Sequence, residues 1–242
     1  FSQKVTWDHK LPYLTNKNLG WKRAYDLPKS ARLPKSGFYA GGDQNYLSDM
    51  EARLLCAVHA DSDKGTLPKC GFHLKKTRKI HRLHHILESL GIDYSYSEYA
   101  DQTTRTVFYW DKATKRLGPT CLNMSLEAMK AYVDEATFWD GSVHEKYCHK
   151  RMQLSTGDPE NAKWFATMCH LAGYASQTVH RKWVYEVSIN NRSLWRFRSP
   201  KITEEQARVL CPETPTGFFL VRRKGVISVT GNTNYGVQAK TL

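Results

Sequence analysis

The stretch EARLLCAVHADSDKG, residues 51–65, joins a buried helix to a pair of acids at its end. Residues 54–60 are nearly all apolar and mostly small, which predicts a helix packed closely against another backbone. Asp61 and Asp63 follow at the C-terminal end, where the helix dipole makes carboxylates unfavourable. Acids that cost stability at this position indicate a second role, and oxygen ligation of a divalent cation is one that carboxylates serve well.

The composition indicates a folded, basic chain with a polyanionic partner. The 242 residues are 40% hydrophobic and 12% aromatic, enough for one large or two modest domains. Lys and Arg number 36 against 23 Asp and Glu, a net charge of +13, and nucleic acid is the first candidate partner. No apolar run approaches the roughly 20 residues that span a bilayer. No secretory signal is visible, and Phe1 predicts a fragment, a processed product or one piece of a larger protein.

The six cysteines are widely spaced and form no C-x-x-C pair, which disfavours a zinc ribbon. Cys56 and Cys169 lie in apolar helical runs and are expected to be buried thiols. This usage fits a reducing cytoplasm. The cluster His144, Cys148 and His149 has two interpretations, a metal site or a solvated loop, and the solvated loop is favoured.

Four helices are predicted from their end signals. Ser48 with Glu51 three residues later forms a capping box, and Asp158 followed by Pro159 is a typical helix start. Glycines are expected to end the helices that follow the first. The predicted starts and ends are Ser48 for the first helix, Thr77 and Gly91 for the second, Ser125 and Gly141 for the third, and Asp158 and Gly173 for the fourth.

These signals repeat along the chain. Ser48 and Ser125 are 77 residues apart (125 − 48), and Gly91 and Gly173 are 82 apart (173 − 91). Strand-like runs follow each helix: CGFHLKK and TTRTVFYWD in the first half, CHKRMQLS and RKWVYEVSI in the second. Residues 48–200 are therefore predicted to be two copies of one α+β unit. Such a duplication places the two first helices on a pseudo-two-fold axis, where their terminal carboxylates converge and a divalent cation relieves their repulsion.

The segment LLCAVHADS, residues 54–62, resembles the signature of the LAGLIDADG homing endonucleases. Asp61 falls on that signature's metal-binding acid, while Cys56 and Ser62 replace glycines. In the second copy, an ungapped match of MKAYVDEAT places Ala136 at the acid position. A shift of four residues places Asp140 there, followed by Gly141.

Asp140 is the preferred second acid, with Asp134 and Glu135 as alternatives. The resemblance implies a pseudo-two-fold fold of two αββαββ-like units whose strands form a basic saddle on the major groove. It implies Mg²⁺ or Mn²⁺ held by both acids, and cleavage by a monomer of double-stranded DNA at a long asymmetric site. The basic residues expected near the metal are Lys115 in the first half and Lys201, or alternatively Lys182, in the second. Those expected to bind DNA are Lys75, Lys76, Arg105, Arg151, Arg181 and Lys182.

The flanks resemble the splicing blocks of inteins, in a phage-type form. Thr6 and His9 match the T-x-x-H block, and residues 209–234 resemble the C-terminal blocks. There Asn232 matches the terminal intein asparagine and Thr233 the first downstream residue. Cys211 falls where the family often carries Asp or Cys. The run GFFLVRRKGVISV is expected to form a hairpin turning at 224–225.

The predicted organisation is an endonuclease inserted in a mostly β Hint splicing domain. Residues 1–43 form the first Hint part, 44–204 the endonuclease with repeats at about 44–120 and 121–204, 205–232 the C-terminal Hint part, and 233–242 the downstream host sequence. The block with the N-terminal nucleophile is absent, and Gly231 replaces the usual penultimate His. Splicing is therefore expected to require an N-terminal segment in cis or in trans. The expected location is the cytoplasm, with a phage-infected bacterial host.

Three functions remain open from the sequence. The first is an intein-embedded, metal-dependent homing endonuclease. The second is a DNA- or RNA-binding module whose nuclease has decayed. The third is a splicing element in which the inserted domain stabilises the fold.

Overall fold

A computed structural model describes residues 5–6, 9–14, 18–37, 46–63, 67–146, 149–190, 194–197, 212, 214–215, 217–223 and 226–231. The fold is mixed α/β, and its contacts divide the chain into two units. Unit 1 comprises Phe1–Gly37 and Arg192–Leu242, and unit 2 comprises Phe38–Asn191. The predicted boundaries at 43/44 and 204/205 stay predictions.

The helices are α1 (Asp49–Asp61), α2 (Thr77–Ser89), α3 (Leu126–Glu135) and α4 (Pro159–Leu171). The strands are β1 (Lys10–Leu14), β2 (Leu19–Arg23), β3 (Arg32–Pro34), β4 (Lys69–Leu74), β5 (Tyr94–Glu98), β6 (Thr104–Tyr109), β7 (Gly141–Lys146), β8 (His149–Thr156), β9 (Ala175–Arg181), β10 (Val184–Asn190), β11 (Leu194–Arg196), β12 (Phe218–Arg223) and β13 (Val226–Gly231). Short 3₁₀ turns occupy Ala24–Asp26 and Pro119–Asn123. Among the described helices, none is long and apolar enough to cross a membrane.

Side-chain caps start α1, α3 and α4 where the sequence predicts, whereas α2 begins at Thr77 without one. The Ser48 hydroxyl accepts from the Glu51 N–H at 3.3 Å, and the Glu51 carboxylate accepts from the Ser48 N–H at 2.7 Å. The Asp158 carboxylate accepts from the N–H of Glu160 at 2.9 Å at the start of α4. Gly91 and Gly173 follow α2 and α4 with φ of +63° and +89°, a conformation that suits glycine.

The prediction for the end of α3 is wrong. The helix ends at Glu135, residues 136–140 form turns, and Gly141 begins β7. A Cβ on Gly141 would lie 2.6 Å from the Ala136 carbonyl oxygen and 2.9 Å from the Gln153 carbonyl oxygen. Glycine is therefore required because the strand starts directly against the end of the helix.

Unit 2 contains the predicted duplication in a modified form. Its first half runs α1–β4–α2–β5–β6, and its second half runs α3–β7–β8–α4–β9–β10. The second half matches the expected αββαββ order, whereas the described residues of the first half show one strand between α1 and α2. The strands form two antiparallel sheets, in the orders β4–β6–β5 and β9–β10–β8–β7. The strand-like runs of the sequence correspond to β4, β6, β8 and β10, and the strands β5, β7 and β9 were not predicted.

Helices α1 and α3 pack against each other at the centre of unit 2. Small side chains on both helices are buried, among them Ala57 on α1 and Ala131 on α3. Cys56 and Cys169 are buried free thiols, as predicted. Close packing of two helices through small residues places their C-terminal ends near one another, which is the feature on which the candidate site depends.

Unit 1 is built from strands. β11, β3, β1 and β2 form an antiparallel sheet, and β12 pairs antiparallel with β13 as the predicted hairpin. The core of this unit comprises Leu11, Ala24, Leu27, Ala31 and Leu33. β11 pairs with β3 although it precedes the predicted boundary at 204/205. The predicted turn at 224–225 lies outside the described residues, and the Hint assignment stays a prediction.

Candidate metal and nucleic-acid site

Two acids meet at the ends of α1 and α3. Asp61 is the last residue of α1, and Asp140 immediately precedes β7. The ammonium of Lys79 bonds to the Asp61 carboxylate and lies 4.0 Å from Oδ1 of Asp140. The structure therefore brings the two acids preferred from the sequence together around one lysine.

The two copies reach this point by different backbone routes. Asp61 lies 13 residues after its N-cap Ser48 (61 − 48), whereas Asp140 lies 15 residues after Ser125 (140 − 125). The two extra residues are absorbed in the turns after α3. In the first copy Ser62 replaces glycine without difficulty, because it caps α1 in an extended conformation and its hydroxyl donates to the Val58 carbonyl at 2.5 Å.

The acid pair is electrostatically strained. Burial and, after it, the neighbouring charge of Asp61 together raise the pKa of Asp140 from 3.8 to about 6. Lys79 and Lys76 oppose this rise in pKa. One ammonium between two carboxylates leaves an excess of negative charge, which favours a further cation.

Lys79 is a residue of the candidate site that the sequence did not predict. Its side chain is only 10% exposed, and its ammonium lies 5.6 Å from the centre of the Trp139 ring. The signal is its spacing, since Lys79, Leu83 and Ile86 occupy one buried face of α2. A lysine on an apolar stripe requires a partner, and here the partner is the acid pair.

Lys115, the basic residue predicted for the first half, is exposed in the loop after β6. Among the described residues, no ion pair joins it to Asp61 or Asp140. Its neighbour Thr114 contacts Nε2 of His59 at 2.9 Å. The lysine placed beside the acids is thus Lys79, and the role of Lys115 stays a prediction.

The alternative acids are engaged elsewhere. Glu135 is fully buried and accepts from Arg53 at 3.0 Å, from Arg82 Nε at 2.8 Å and from the Trp139 indole at 3.1 Å. Asp134 accepts from the Tyr174 hydroxyl at 3.2 Å. Glu135 therefore ties α1 and α2 to α3 and orients the tryptophan next to Asp140.

His59 on α1 belongs to a half-buried polar network. Nδ1 of His59 lies 2.8 Å from the Tyr132 hydroxyl, and burial lowers the pKa of this histidine to about 4. His59, Tyr132, Trp139 and Asp140 line the same narrow cleft. A histidine that stays neutral near pH 7 adds no competing positive charge to the site.

The donor set fits a hard divalent cation. Carboxylate oxygens suit Mg²⁺ and Mn²⁺, which complete their coordination with water and phosphate oxygens. Within the described part of the chain, no three His, Cys, Asp or Glu side chains converge as a closed metal cluster. Asp61 and Asp140 would therefore hold the ion together with a phosphate, rather than in an all-protein cage. The side chains of His144, Cys148 and His149 lie outside the described part.

One face of each sheet in unit 2 presents polar and basic side chains. On β6 alternate residues are buried, so Arg105 and Tyr109 lie on the exposed face, and His73 on β4 pairs in register with Arg105. In the second sheet, Ser188 on β10 lies between the buried residues Val187 and Ile189 and therefore faces the opposite side of the sheet. Gln177 on β9 and Gln153 on β8 both pair in register with Ser188 and share this face. Arg, Gln and Ser are donors that read base edges in the major groove.

The predicted DNA-binding residues fall around these faces. Lys75 pairs with Asp101 at 2.9 Å, and Lys76 precedes α2 close enough to lower the pKa of Asp140. Arg181 ends β9 and pairs with Glu186 at 3.1 Å, and Lys182 follows in the turn. The backbone of Arg151 lies on β8, but its side chain is outside the described part of the structure. Lys201 lies outside the described residues altogether.

In unit 1 the predicted splicing residue His9 contacts both the C-terminal hairpin and Thr6. Nε2 of His9 lies 2.7 Å from the Thr230 hydroxyl, and the His9 N–H donates to the Thr6 carbonyl at 3.2 Å. A side chain at Gly231 has no room, because a Cβ there would overlap the Trp21 ring and lie 2.8 Å from the Lys10 carbonyl oxygen. The predicted splicing residues Cys211, Asn232 and Thr233 lie outside the described residues.

Comparison with known proteins yields distant relatives. No protein-family model matches the chain. The ribonucleoside-diphosphate reductase subunit beta of Aquifex aeolicus (strain VF5) is 26% identical in an alignment 187 residues long that covers 66% of this chain. The chain spans about a quarter (26%) of that relative's length.

Two solved structures with similar backbones have been described as LAGLIDADG proteins or homing endonucleases. The N-terminal LAGLIDADG domain of DUF199/WhiA is 12% identical, with a TM-score of 0.45, over 60% of this chain and 78% of its own. Mesophilic variants of the homing endonuclease I-DmoI are 14% identical, with a TM-score of 0.44, over 61% of this chain and 92% of theirs. These TM-scores are below 0.5, so the function proposed for this chain rests on its own side chains.

Proposed function

We propose that unit 2 is a metal-dependent, site-specific endonuclease for double-stranded DNA. The observation that carries this proposal is the convergence of Asp61 and Asp140 around Lys79 at the paired ends of α1 and α3. Such a pair costs stability and has no structural use comparable to that of Glu135. The chain's charge of +13 supplies the attraction to a polyanion.

Each group at the site has a distinct task. A bound Mg²⁺ or Mn²⁺ supplies Lewis-acid activation of the phosphodiester and stabilises the leaving oxygen. The ionised carboxylates of Asp61 and Asp140 would hold the ion. Lys79 balances their charge and, next to a docked phosphate, stabilises the negative charge that develops in the transition state.

The exposed sheet faces bind the duplex. Arg105 on β6 and Arg151 on β8 contact phosphates or base edges, and the glutamines of β8 and β9 read base edges. Because the two halves of unit 2 carry different side chains at equivalent positions, the preferred site is asymmetric. One chain holds both acids and acts as a monomer.

The test uses Asp61→Asn and Asp140→Asn, with Asp134→Asn in the last turn of α3 as the matched control. Each protein is incubated with a randomised duplex library and Mg²⁺ or Mn²⁺, and new ends are captured and sequenced. The unaltered chain and the control produce breaks at a recurring sequence. Each of the two test variants loses cleavage by at least about 100-fold while duplex affinity changes by less than about threefold.

Other outcomes would contradict parts of the proposal. Normal cutting by Asp140→Asn with loss in Asp134→Asn would transfer the second acid to Asp134. Salt-sensitive duplex binding by the unaltered chain, without cutting in either metal, would favour the second candidate, a DNA-binding module whose nuclease has decayed.

We further propose that unit 1 contributes to protein splicing. The observation that favours this function is the bond between His9 and Thr230, which joins the predicted T-x-x-H block to the strand that ends at Gly231. In this proposal Asn232 cyclises and releases the chain from Thr233 onward. Mass spectrometry of the incubated chain tests the idea. Release should stop in Asn232→Ala and continue in Asn234→Ala.

A further inference from the structure

The turn between β9 and β10 consists of two residues, Lys182 and Trp183. The pair Arg181 and Val184 closes the hairpin in antiparallel register. Lys182 has φ of +53°, in the left-handed region that tight hairpin turns require and that Asn or Gly adopts most easily. The chain thus accepts a strained backbone at the position where it presents a lysine and a tryptophan.

Trp183 is 87% exposed at this tip. Tryptophan is highly buried on average in folded proteins, so an exposed indole at the end of a hairpin is unusual. The hairpin below it is braced, because the rings of His180 and Tyr185 stack at 4.3 Å with an interplanar angle of 16°. A rigid support for an exposed flat ring suits contact with another flat surface.

The tip is also positively charged. The Arg181 side chain is 69% exposed, and its Nε pairs with Glu186 at 3.1 Å. In the part of the chain that the structure describes, Lys182 makes no ion pair. An aromatic ring next to two cationic residues in the chain matches the base and phosphate of a nucleotide.

The equivalent hairpin of the first repeat, β5–β6, has a different tip. There Asp101 pairs with Lys75 at 2.9 Å and bonds the Thr103 hydroxyl at 2.9 Å, and these contacts lower its pKa to about 2. Tyr99 is half exposed and stacks with His73. The charge of Asp101 at this tip is thus paired with Lys75 of the same repeat, so the hairpin tips of the two repeats are not equivalent.

We propose that Trp183 inserts at one base step of bound double-stranded DNA and stacks on a base there, while Lys182 contacts the adjacent phosphate. The inference rests on the proposed function, in that unit 2 must bind DNA. It assigns this turn a contact that is independent of base sequence and that anchors the half of the site nearest the second repeat.

The test compares Trp183→Ala with Trp183→Phe, which keeps a ring, and with Lys182→Met, which removes only the charge. Affinity for a fluorescein-labelled duplex of mixed sequence is measured in EDTA across a range of salt concentrations. Trp183→Ala should weaken binding about 5- to 100-fold, the range for one stacked base, at an unchanged salt slope. Trp183→Phe should stay within about threefold, and Lys182→Met should reduce the salt slope by about one.

A second readout separates stacking from a loss of folding. Duplexes that carry 2-aminopurine should change fluorescence on binding to the unaltered chain and to Trp183→Phe, and less with Trp183→Ala, at equal melting temperatures. Equal affinities of Trp183→Ala and the unaltered chain would overturn this inference alone. Self-association that depends on Trp183 would instead assign the tip to a protein contact. Absence of any duplex binding by the unaltered chain would overturn the proposed function as well.

Discussion

At the scale of single residues, the repulsion within the acid pair is seen in the raised pKa of Asp140. Burial and the charge of Asp61 raise its pKa to about 6, which exceeds its ordinary value of 3.8. A carboxyl group with a raised pKa binds its proton more tightly in the folded state. Its neutral form therefore favours folding at low pH, and that advantage is lost as the pH rises through about 6.

Asp140→Asn is therefore expected to stabilise the metal-free protein at pH 8 and not at pH 4. After a discount for partial exposure, a gain of about 1 kcal/mol corresponds to a melting temperature roughly 2–4 °C higher for a chain of this size. Calorimetry in EDTA at both pH values measures it, with Asp134→Asn as the control. An equal gain at both pH values would show that ionisation of Asp140 is not the cause.

At the scale of elements, Glu135 is the brace between three helices. It lies on α3, accepts from Arg53 on α1 and Arg82 on α2, and has no solvent exposure. Removing one partner of a buried ion pair leaves the others uncompensated and costs far more than the loss of a surface pair. The same carboxylate also holds the Trp139 ring beside the acid pair.

Glu135→Ala is expected to lower the free energy of unfolding by roughly 3–5 kcal/mol. Glu127→Ala, which removes an exposed acid from the first turn of the same helix, should cost less than about 1 kcal/mol. Urea titrations followed by circular dichroism compare the two variants. Similar losses in both would contradict the bracing role of Glu135.

At the scale of the whole molecule, one chain contains both acids and both sheet faces. We expect a complex of one chain with one duplex of about two helical turns, with an affinity that falls steeply as salt rises. Sedimentation of mixtures at several ratios gives the stoichiometry. A complex of two chains per duplex would contradict the internal pseudo-symmetry as the source of the asymmetric site.

The sequence by itself determined the parts of this protein that depend on a few neighbouring residues. The capping box at Ser48, the N-cap at Asp158, the glycines after α2 and α4 and the hairpin of β12 and β13 all have local signals, because caps and turns are satisfied within a few residues. The repeat of these signals predicted the duplicated α+β unit. The position of Asp61 at the end of a helix of small residues followed from the same pattern.

Only the tertiary structure decided how the site is composed. Asp134, Glu135 and Asp140 are acids close together in the chain, and the sequence favoured Asp140 but left the other two open as alternatives. Because α3 ends early, at Glu135, the following turns bring Asp140 toward Asp61. Glu135 instead forms ion pairs with two arginines. Lys79 belongs to a segment rich in basic residues, and its burial beside the acids depends on the packing of α2 against α1. Burial and the distance between charges set these roles, and both arise only when segments far apart in the chain pack together.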